Sequence, residues 1–205
     1  MAEAWFDHID ELINYLNSVG HPQLKVFDFP LYNTFKTLSG GGLDLRLLSN
    51  AGLVNSPGYS NAVVTFVDNH DTNRDGGNPG IVNYKYQAYA YILMREYGIP
   101  CVWWKDYYVY DMKEKLTKLI EARKYFAYGP GYEVDNNDPD LYSYVREGLP
   151  NTSTGLVMLI SAGPAGSSGV ITKRINSRKP FTTFYDYTGH IKEQVKTDAA
   201  GYVRF

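Results

Sequence analysis

The sequence predicts an α/β fold followed by a smaller antiparallel β fold. Before residue 127, continuous apolar runs alternate with helical patterns, as in a parallel sheet whose strands are buried on both faces. Beyond Tyr128, short β segments are separated by clusters of Gly, Pro, Ser and Asn. We therefore divide the chain into residues 1–127 and residues 128–205.

The first part begins with an amphipathic helix and continues with three strands. Asp7 is a suitable N-cap for this helix, and Gly20 ends it. Its apolar positions recur at i, i+3, i+4 and i+7: Ile9, Leu12, Ile13 and Leu16. Strands are predicted at 25–31, 61–68 and 100–104, and further helices at 82–97 and 112–126. This order is that of βα repeats with long loops.

The second part is predicted to be a small antiparallel sandwich. Its four predicted strands lie at 141–147, 155–161, 168–175 and 180–187. Such short segments between turn residues are typical of sandwiches. The run of small residues from Ala162 to Gly169 is predicted to be a hairpin loop, because small side chains cannot anchor a core there.

The composition of the 205-residue chain excludes several classes of protein. A formal charge of −2 leaves no basic excess for nucleic acid, and no apolar run reaches the roughly 20 residues of a membrane-spanning helix. The single cysteine, Cys101, rules out an intramolecular disulfide and a cysteine-cluster metal site. The 19 tyrosines suit stacking on sugar rings, although core and interface packing is their commoner role. We expect a neutral substrate, with no nucleic-acid or membrane partner.

The N-terminus predicts no targeting signal. The stretch MAEAWFDHID lacks the basic and apolar regions of a signal peptide. We therefore expect the chain as written to be cytoplasmic, and secretion of a longer parent protein stays open.

A polar cluster follows the second predicted strand, in the stretch VTFVDNHDTNR. Asp68, Asn69, His70 and Asp71 come directly after the apolar run. If that run is a parallel strand of a barrel, these side chains lie at its C-terminal end, where such barrels carry their catalytic groups. The alternative is a turn followed by a helix cap, which polar residues after a strand commonly form.

This stretch resembles a signature motif of a known family. FVDNHD is similar to the motif that follows the seventh barrel strand in the alpha-amylase family of glycoside hydrolases. The resemblance implies that His70 binds the sugar at the cleavage point and that Asp71 is a catalytic carboxylate that stabilises the transition state. AEAW, at residues 2–5, resembles the fifth-strand motif E-x-W, which implies that Glu3 is the general acid.

Further segments resemble bacterial liquefying alpha-amylases in the same order. They are VFDFPL, GGGLDLR, LIEARKYFAYG and YSYVREG, between residues 26 and 148. The resemblance implies half of a (β/α)8 TIM barrel in residues 1–127 and a small antiparallel Greek-key β-sandwich in residues 128–205. It also implies a retaining hydrolase that uses two carboxylates to cleave internal α-1,4-glucosidic bonds of starch-type glucans.

The sequence departs from the family pattern at the nucleophile. The fourth-strand motif G-x-R-x-D that would supply it is absent. Half a barrel leaves unpaired strand edges, so we expect a homodimer whose clefts draw carboxylates from both subunits. Asp28 and Asp68 are candidates for the missing nucleophile. The expected activity is weak, and the alternative is a catalytically inactive glucan-binding or structural fragment.

Four further side chains are candidates for binding the sugar: Trp5, Asn69, Trp104 and Tyr107. The aromatic run WWKDYYVY, residues 103–110, is predicted to stack on sugars at the rim of the cleft, with core packing as the alternative. Lys105 stands where the family usually has glycine, which changes the loop there. Arg74 either pairs with Asp71 or is solvated, and we favour solvation.

Calcium is the one cofactor that the sequence suggests. The loop VDNNDPD, residues 134–140, is rich in oxygen-bearing side chains. The resemblance implies that Asp140 and the carbonyl groups of Gly41 and Leu43 hold a calcium ion. Ala162 stands where the family has a further aspartate, so one ligand is missing.

Overall fold

The structure is a computed structural model that describes residues 1–41, 43–73, 80–162 and 171–205. Arg74 and residues 163–169 of the predicted hairpin loop lie outside these ranges. Within them, no helix is both long and apolar enough to cross a membrane.

Helices and strands alternate in the first part, and short strands follow in the second. The helices are α1 (Ile9–Val19), α2 (Phe29–Ser39), α3 (Lys85–Met94), α4 (Trp104–Tyr108) and α5 (Lys113–Phe126). Three short 3-10 helices lie at Leu45–Asn50, Leu53–Asn55 and Ser60–Ala62. The strands are β1 (Val26–Phe27), β2 (Val63–Phe66), β3 (Ile99–Cys101), β4 (Gly131–Glu133), β5 (Leu141–Arg146), β6 (Leu156–Ser161), β7 (Arg174–Asn176), β8 (Thr183–Phe184), β9 (Val195–Lys196) and β10 (Tyr202–Arg204).

The first part forms a parallel sheet whose strands follow chain order. Val26 of β1 pairs with Val63 of β2, and Val64 of β2 pairs with Ile99 of β3. Ala2 extends the sheet by one parallel bridge to Val26. Four neighbouring segments therefore run in parallel, and their C-terminal ends share one edge of the sheet. The described strands form an open sheet and no closed barrel.

The first strand is shorter than the predicted range 25–31. It ends at Phe27, and α2 begins two residues later at Phe29. Asp28 caps this helix by accepting the backbone N–H of Leu31 at 3.2 Å. Pro30 lies in the first turn, where a missing N–H costs no helical hydrogen bond. The cap and the proline outweigh the apolar character of the run, so the prediction of a strand to residue 31 was wrong.

The first helix begins one residue later than predicted and ends as predicted. Its N-cap is His8, whose backbone N–H donates to the Glu11 carboxylate at 3.2 Å. Asp7, the predicted cap, instead accepts a hydrogen bond from the Asn33 side chain at 2.9 Å. Gly20 ends the helix with φ 62°, in the left-handed region that glycine adopts readily.

The other elements predicted in the first part have the predicted type, helix or strand, but most are shorter than predicted. The strand predicted at 61–68 is β2, the helix predicted at 112–126 is α5, and the helix predicted at 82–97 is the shorter α3. The strand predicted at 100–104 ends at Cys101, because Trp104 begins the short helix α4. Helix α2 and helix α4 were missed.

The second part is antiparallel, as predicted. The strands predicted at 141–147 and 155–161 are β5 and β6, which form a three-stranded sheet with β4. Within the described residues, the runs at 168–175 and 180–187 contribute β7 and β8, which pair with β10 and β9, and residues 168–170 lie outside the described ranges. A closed Greek-key sandwich built from these sheets stays a prediction.

The two parts share one hydrophobic core. Tyr144 of β5 and Ile160 of β6 belong to the same buried cluster as residues of α2 and α3. Arg95 lies at the junction, where its guanidinium is 4.7 Å from the ring centroid of Tyr91 and 4.6 Å from that of Tyr144. It also pairs with Glu133 at 3.1 Å. The antiparallel part is therefore packed firmly against the helices that follow β2.

Candidate active site

Three predicted site residues converge beyond the C-terminal edge of the parallel sheet. One side-chain ligand atom each from Glu3, His70 and Asp71 lies within 4.8 Å of the other two. His70 Nε2 is 3.4 Å from Asp71 Oδ2. The His70 side chain is 73% exposed and that of Asp71 is 21% exposed. This Glu3–His70–Asp71 cluster is therefore open to a ligand from solvent.

Backbone anchors hold both segments of the cluster. The N–H of Ala2, next to Glu3, donates to the Lys25 carbonyl at 2.8 Å. Asn69 Oδ1 accepts the N–H groups of Asp71 and Thr72, each at 2.9 Å, and so fixes the turn that carries His70. Asn69 was predicted to bind substrate, and the structure assigns its side-chain oxygen to this turn.

A buried charge cluster of Asp68, Lys85 and Asp106 lies under the same loop. Lys85 Nζ is 2.8 Å from Asp68 Oδ2 and 2.6 Å from Asp106 Oδ1, and both carboxylates are fully buried. Burial raises the pKa of Asp68 against the opposing effect of Lys85. Burial also acts to lower the pKa of Lys85, but its hydrogen bonds to Asp106 and Asp68 outweigh burial and raise it.

Thr72 joins the buried charge cluster to the exposed one. Its hydroxyl donates to Asp68 Oδ1 at 3.0 Å and accepts the Asn69 N–H at 2.9 Å. Sequence reasoning missed Lys85 and Asp106 altogether. The sequence did contain one indication that Lys85 has a buried partner. Lys85 is the only charged residue in the otherwise uncharged α3 sequence KYQAYAYILM.

Asp28 directly follows β1 and is fully buried. Its carboxylate accepts the backbone N–H groups of Leu31, Leu53 and Val54 at 3.2, 2.9 and 2.9 Å. Burial raises its pKa to about 6, against the lowering effect of these hydrogen bonds. Asp28 and Asp68 were the candidates for the missing nucleophile, and neither is exposed to a sugar. That hypothesis is wrong for this structure, because both carboxylates are engaged in holding the sheet edge together.

The aromatic candidates have different surroundings. Trp5 stacks on Phe29 with ring centroids 4.7 Å apart and is 52% exposed. Trp104 is 57% exposed at the first residue of α4. Tyr107 instead shares a hydrogen bond of 2.8 Å with Thr117 on α5 and packs against the core. The core-packing alternative therefore describes Tyr107, whereas both tryptophans keep surface open for stacking.

The aromatic run 103–110 reaches the site loop through its last residue, Tyr110. The Tyr110 hydroxyl donates to Asn73 Oδ1 at 3.3 Å. The ring of Tyr110 lies edge-on to Trp103, with centroids 6.3 Å apart. Residues 103–110 thus adjoin the loop of His70 and Asp71, and their stacking on sugars stays a prediction.

The predicted calcium ligands belong to two adjoining segments. The Leu45 N–H donates to the Pro139 carbonyl at 2.8 Å, which brings the segment of Gly41 and Leu43 to that of Asp140. Calcium requires about six to eight oxygen ligands. Asp140 supplies one carboxylate here, and its own carbonyl already accepts the N–H of Ala162 at 2.9 Å.

A cationic side chain already occupies the acidic loop. Lys173 Nζ donates to the Val134 carbonyl at 2.7 Å and to the Ser143 hydroxyl at 2.9 Å. A nearby ammonium group opposes the binding of a second cation. The described residues around Asp140 therefore do not fit a calcium ion, and the chemistry proposed below does not depend on one.

Several curated alpha-amylases are similar to this chain over its full length. An alpha-amylase from Geobacillus stearothermophilus is 34% identical over 217 residues, which cover 100% of this chain and 38% of that protein. An alpha-amylase from Bacillus licheniformis is 34% identical over 219 residues, covering 100% and 41%. In sequence, the chain corresponds to the C-terminal part of an alpha-amylase. The cytoplasmic alpha-amylase of Escherichia coli is 30% identical over 225 residues, covering 100% of this chain and 44% of that protein.

The chain spans less than half the length of those relatives. No family model matches it. In structure, it resembles a variant of alpha-amylase I from Eisenia fetida crystallised with maltohexaose, with a TM-score of 0.61 at 14% identity, covering 88% of this chain and 46% of that one. At this identity the likeness shows a shared fold alone, one derived from a TIM barrel.

Proposed function

We propose that this alpha-amylase segment forms one side of a cleft that hydrolyses internal α-1,4-glucosidic bonds of starch-type glucans. The observation that carries the proposal is the convergence of Glu3, His70 and Asp71 within 4.8 Å. The names of the bacterial relatives support it. The exposed rings of Trp5 and Trp104 fit the same substrate class, because flat aromatic faces stack on sugars.

Each residue of the cluster has a distinct role in this proposal. Glu3 protonates the oxygen of the leaving sugar. The reacting sugar ring then gains positive charge, as in other glycoside hydrolyses. The Asp71 carboxylate stabilises that charge, and His70 binds a hydroxyl of the same sugar.

The missing nucleophile is proposed to come from a second copy of the chain. A retaining enzyme needs a second carboxylate roughly 5 to 5.5 Å from the acid. Asp28 and Asp68 are buried and cannot supply it. In the described sheet, the segment of Ala2 and strand β3 are the outer members, so half a barrel leaves two edges to cover. A homodimer covers such edges and brings carboxylates of both subunits to one cleft.

The deciding experiment measures the release of reducing ends from soluble starch. The parent protein is compared with Asp71→Asn and with Asp10→Asn, which neutralises an exposed carboxylate on α1. We expect weak release by the parent and by Asp10→Asn, and none by Asp71→Asn. Release that is equal in all three would show that the activity does not come from this cluster.

The second candidate function is glucan binding without hydrolysis. The half-open ring of Trp5 favours it, since stacking needs no nucleophile. Affinity electrophoresis in gels that contain starch separates the two functions. Retardation that is lost in Trp5→Ala, without release of reducing ends, would support binding alone. The absence of both signals would leave a structural role.

Sedimentation equilibrium tests the homodimer by itself. The chain has a mass of 23.2 kDa, and the shared-cleft proposal predicts a species of about twice that mass. A monomer at the concentrations used in the starch assay would contradict the shared cleft, whatever the activity.

A further inference from the structure

The Glu3–His70–Asp71 cluster also has the composition of a transition-metal site. It offers one imidazole nitrogen and two carboxylate oxygens, and all three atoms lie within 4.8 Å of one another. Zinc binds both of these ligand types, whereas calcium and magnesium prefer oxygen alone. We propose that this cluster binds a zinc ion.

The distance between two of the ligand atoms already suits zinc. In a tetrahedral site with metal–ligand bonds of about 2.0 to 2.1 Å, neighbouring ligand atoms are about 3.4 Å apart. His70 Nε2 and Asp71 Oδ2 are 3.4 Å apart. Glu3 is exposed and has several rotatable bonds, so a small side-chain movement brings its carboxylate to the same spacing. Water fills the fourth position, as in other zinc sites with three protein ligands.

The backbone that carries the ligands is fixed before any ion binds. The turn around His70 is held by Asn69 Oδ1, and the Thr72 hydroxyl ties that turn to buried Asp68. Ala2 ties the segment of Glu3 to the strand beside it. Because only side chains must be ordered, the entropic cost of forming the site is small.

Isothermal titration of the metal-free protein with zinc chloride, without glucan, measures the site directly. We expect one zinc ion per chain and a loss of affinity of at least about tenfold in His70→Ala. The matched control is His21→Ala, which removes an exposed histidine whose ring accepts the N–H of Gln23. That control should bind zinc as the parent does. Circular dichroism confirms that both variants are folded.

Cobalt provides a second readout that reports geometry. Cobalt(II) in a tetrahedral nitrogen and oxygen site absorbs visible light much more strongly than in water, and this band should be present in the parent and absent in His70→Ala. The proposal is overturned if zinc shows no saturable binding, or if His70→Ala binds it as tightly as the parent.

Zinc binding and glucan hydrolysis are tested independently. The titration contains no glucan, so a negative starch assay leaves the zinc site intact, and the absence of zinc binding leaves the starch assay open. If both proposals hold, zinc inhibits hydrolysis, because the ion and the sugar require the same three side chains. That consequence rests on the proposed function.

Discussion

Two pairs of carboxylates lie at the same edge of the parallel sheet in opposite surroundings. Asp28 and Asp68 follow β1 and β2 closely, and both are buried. Glu3 and Asp71 lie further out, and their carboxylates reach solvent. Asp71 is only three residues beyond Asp68 in the same loop. The position of a carboxylate after a strand therefore predicts that it lies at this edge of the sheet, but not whether it holds the fold together or faces a ligand.

The neighbours of each carboxylate decide its role. A buried charge is tolerated only when donors surround it. Three backbone N–H groups surround Asp28, and Lys85, Thr72 and the Ile81 N–H surround Asp68. These contacts hold the sheet edge and the loop in place. Glu3 and Asp71 are thereby positioned for a ligand.

The largest effect in this comparison is expected from Lys85→Met. The substitution leaves the carboxylates of Asp68 and Asp106 buried without their counterion, which costs about 3 to 5 kcal/mol of the free energy of unfolding. Urea unfolding measures the loss. Lys36→Met, on an exposed position of α2, is the control and should change stability by less than about 0.5 kcal/mol. A loss below about 1 kcal/mol in Lys85→Met would show that the charge cluster is not structural.

The next effect concerns Asp28 and pH. Its folded-state pKa of about 6 lies above the ordinary value of 3.8, so the folded protein holds this proton more tightly than the unfolded chain. Protonated Asp28 therefore stabilises the folded state fully below about pH 4, and this stabilisation is lost as the pH rises through 6. The loss from this group amounts to about 3 kcal/mol.

Urea unfolding between pH 4 and pH 7 tests this effect. As the pH rises from 4 to 7, we expect the free energy of unfolding of the parent to fall relative to that of Asp28→Asn, whose side chain does not titrate. Asp10→Asn serves as the control and should follow the parent. Parallel curves for the parent and Asp28→Asn would mean that the carboxyl does not change protonation in this range.

The sequence predicted the parts of this molecule that depend on local signals. Long apolar runs predicted β2, β5 and β6, and the motif resemblance singled out Glu3, His70 and Asp71, whose side chains the structure brings together. Helix α2 was missed because its apolar start was read as a strand, although a capping aspartate and a proline were both visible.

The partners of Asp68 could not be predicted in the same way. Lys85 lies 17 residues beyond Asp68, and Asp106 lies 21 residues beyond Lys85. They meet because the fold brings the first residue of α3 and a residue of α4 to the loop that follows β2. Tertiary packing also turned Tyr107 toward Thr117, which composition alone did not indicate.

A smaller loss of stability is expected from removing the hydroxyl of Thr72, which joins buried Asp68 to the loop of His70 and Asp71. Thr72→Val preserves the shape of the side chain but removes the hydroxyl between Asp68 and the Asn69 N–H. Two buried polar groups then lose a partner, which costs about 1 to 3 kcal/mol. Thr37→Val removes an exposed hydroxyl that donates to Asn33 and is the matched control in urea unfolding. Equal stability of the two variants would show that the loop does not depend on the buried cluster.

The smallest change in stability is expected from Glu3→Gln, because Glu3 is exposed to solvent. At 4.8 Å in water, two carboxylates repel by about 1 kcal/mol, and salt and His70 reduce this further. Removing one charge relieves that repulsion, while the exposed side chain loses little packing. The free energy of unfolding should therefore stay the same or rise by up to about 0.5 kcal/mol, measured by urea unfolding. A loss above about 1 kcal/mol would place Glu3 with the structural carboxylates Asp28 and Asp68 and would remove it as the candidate acid.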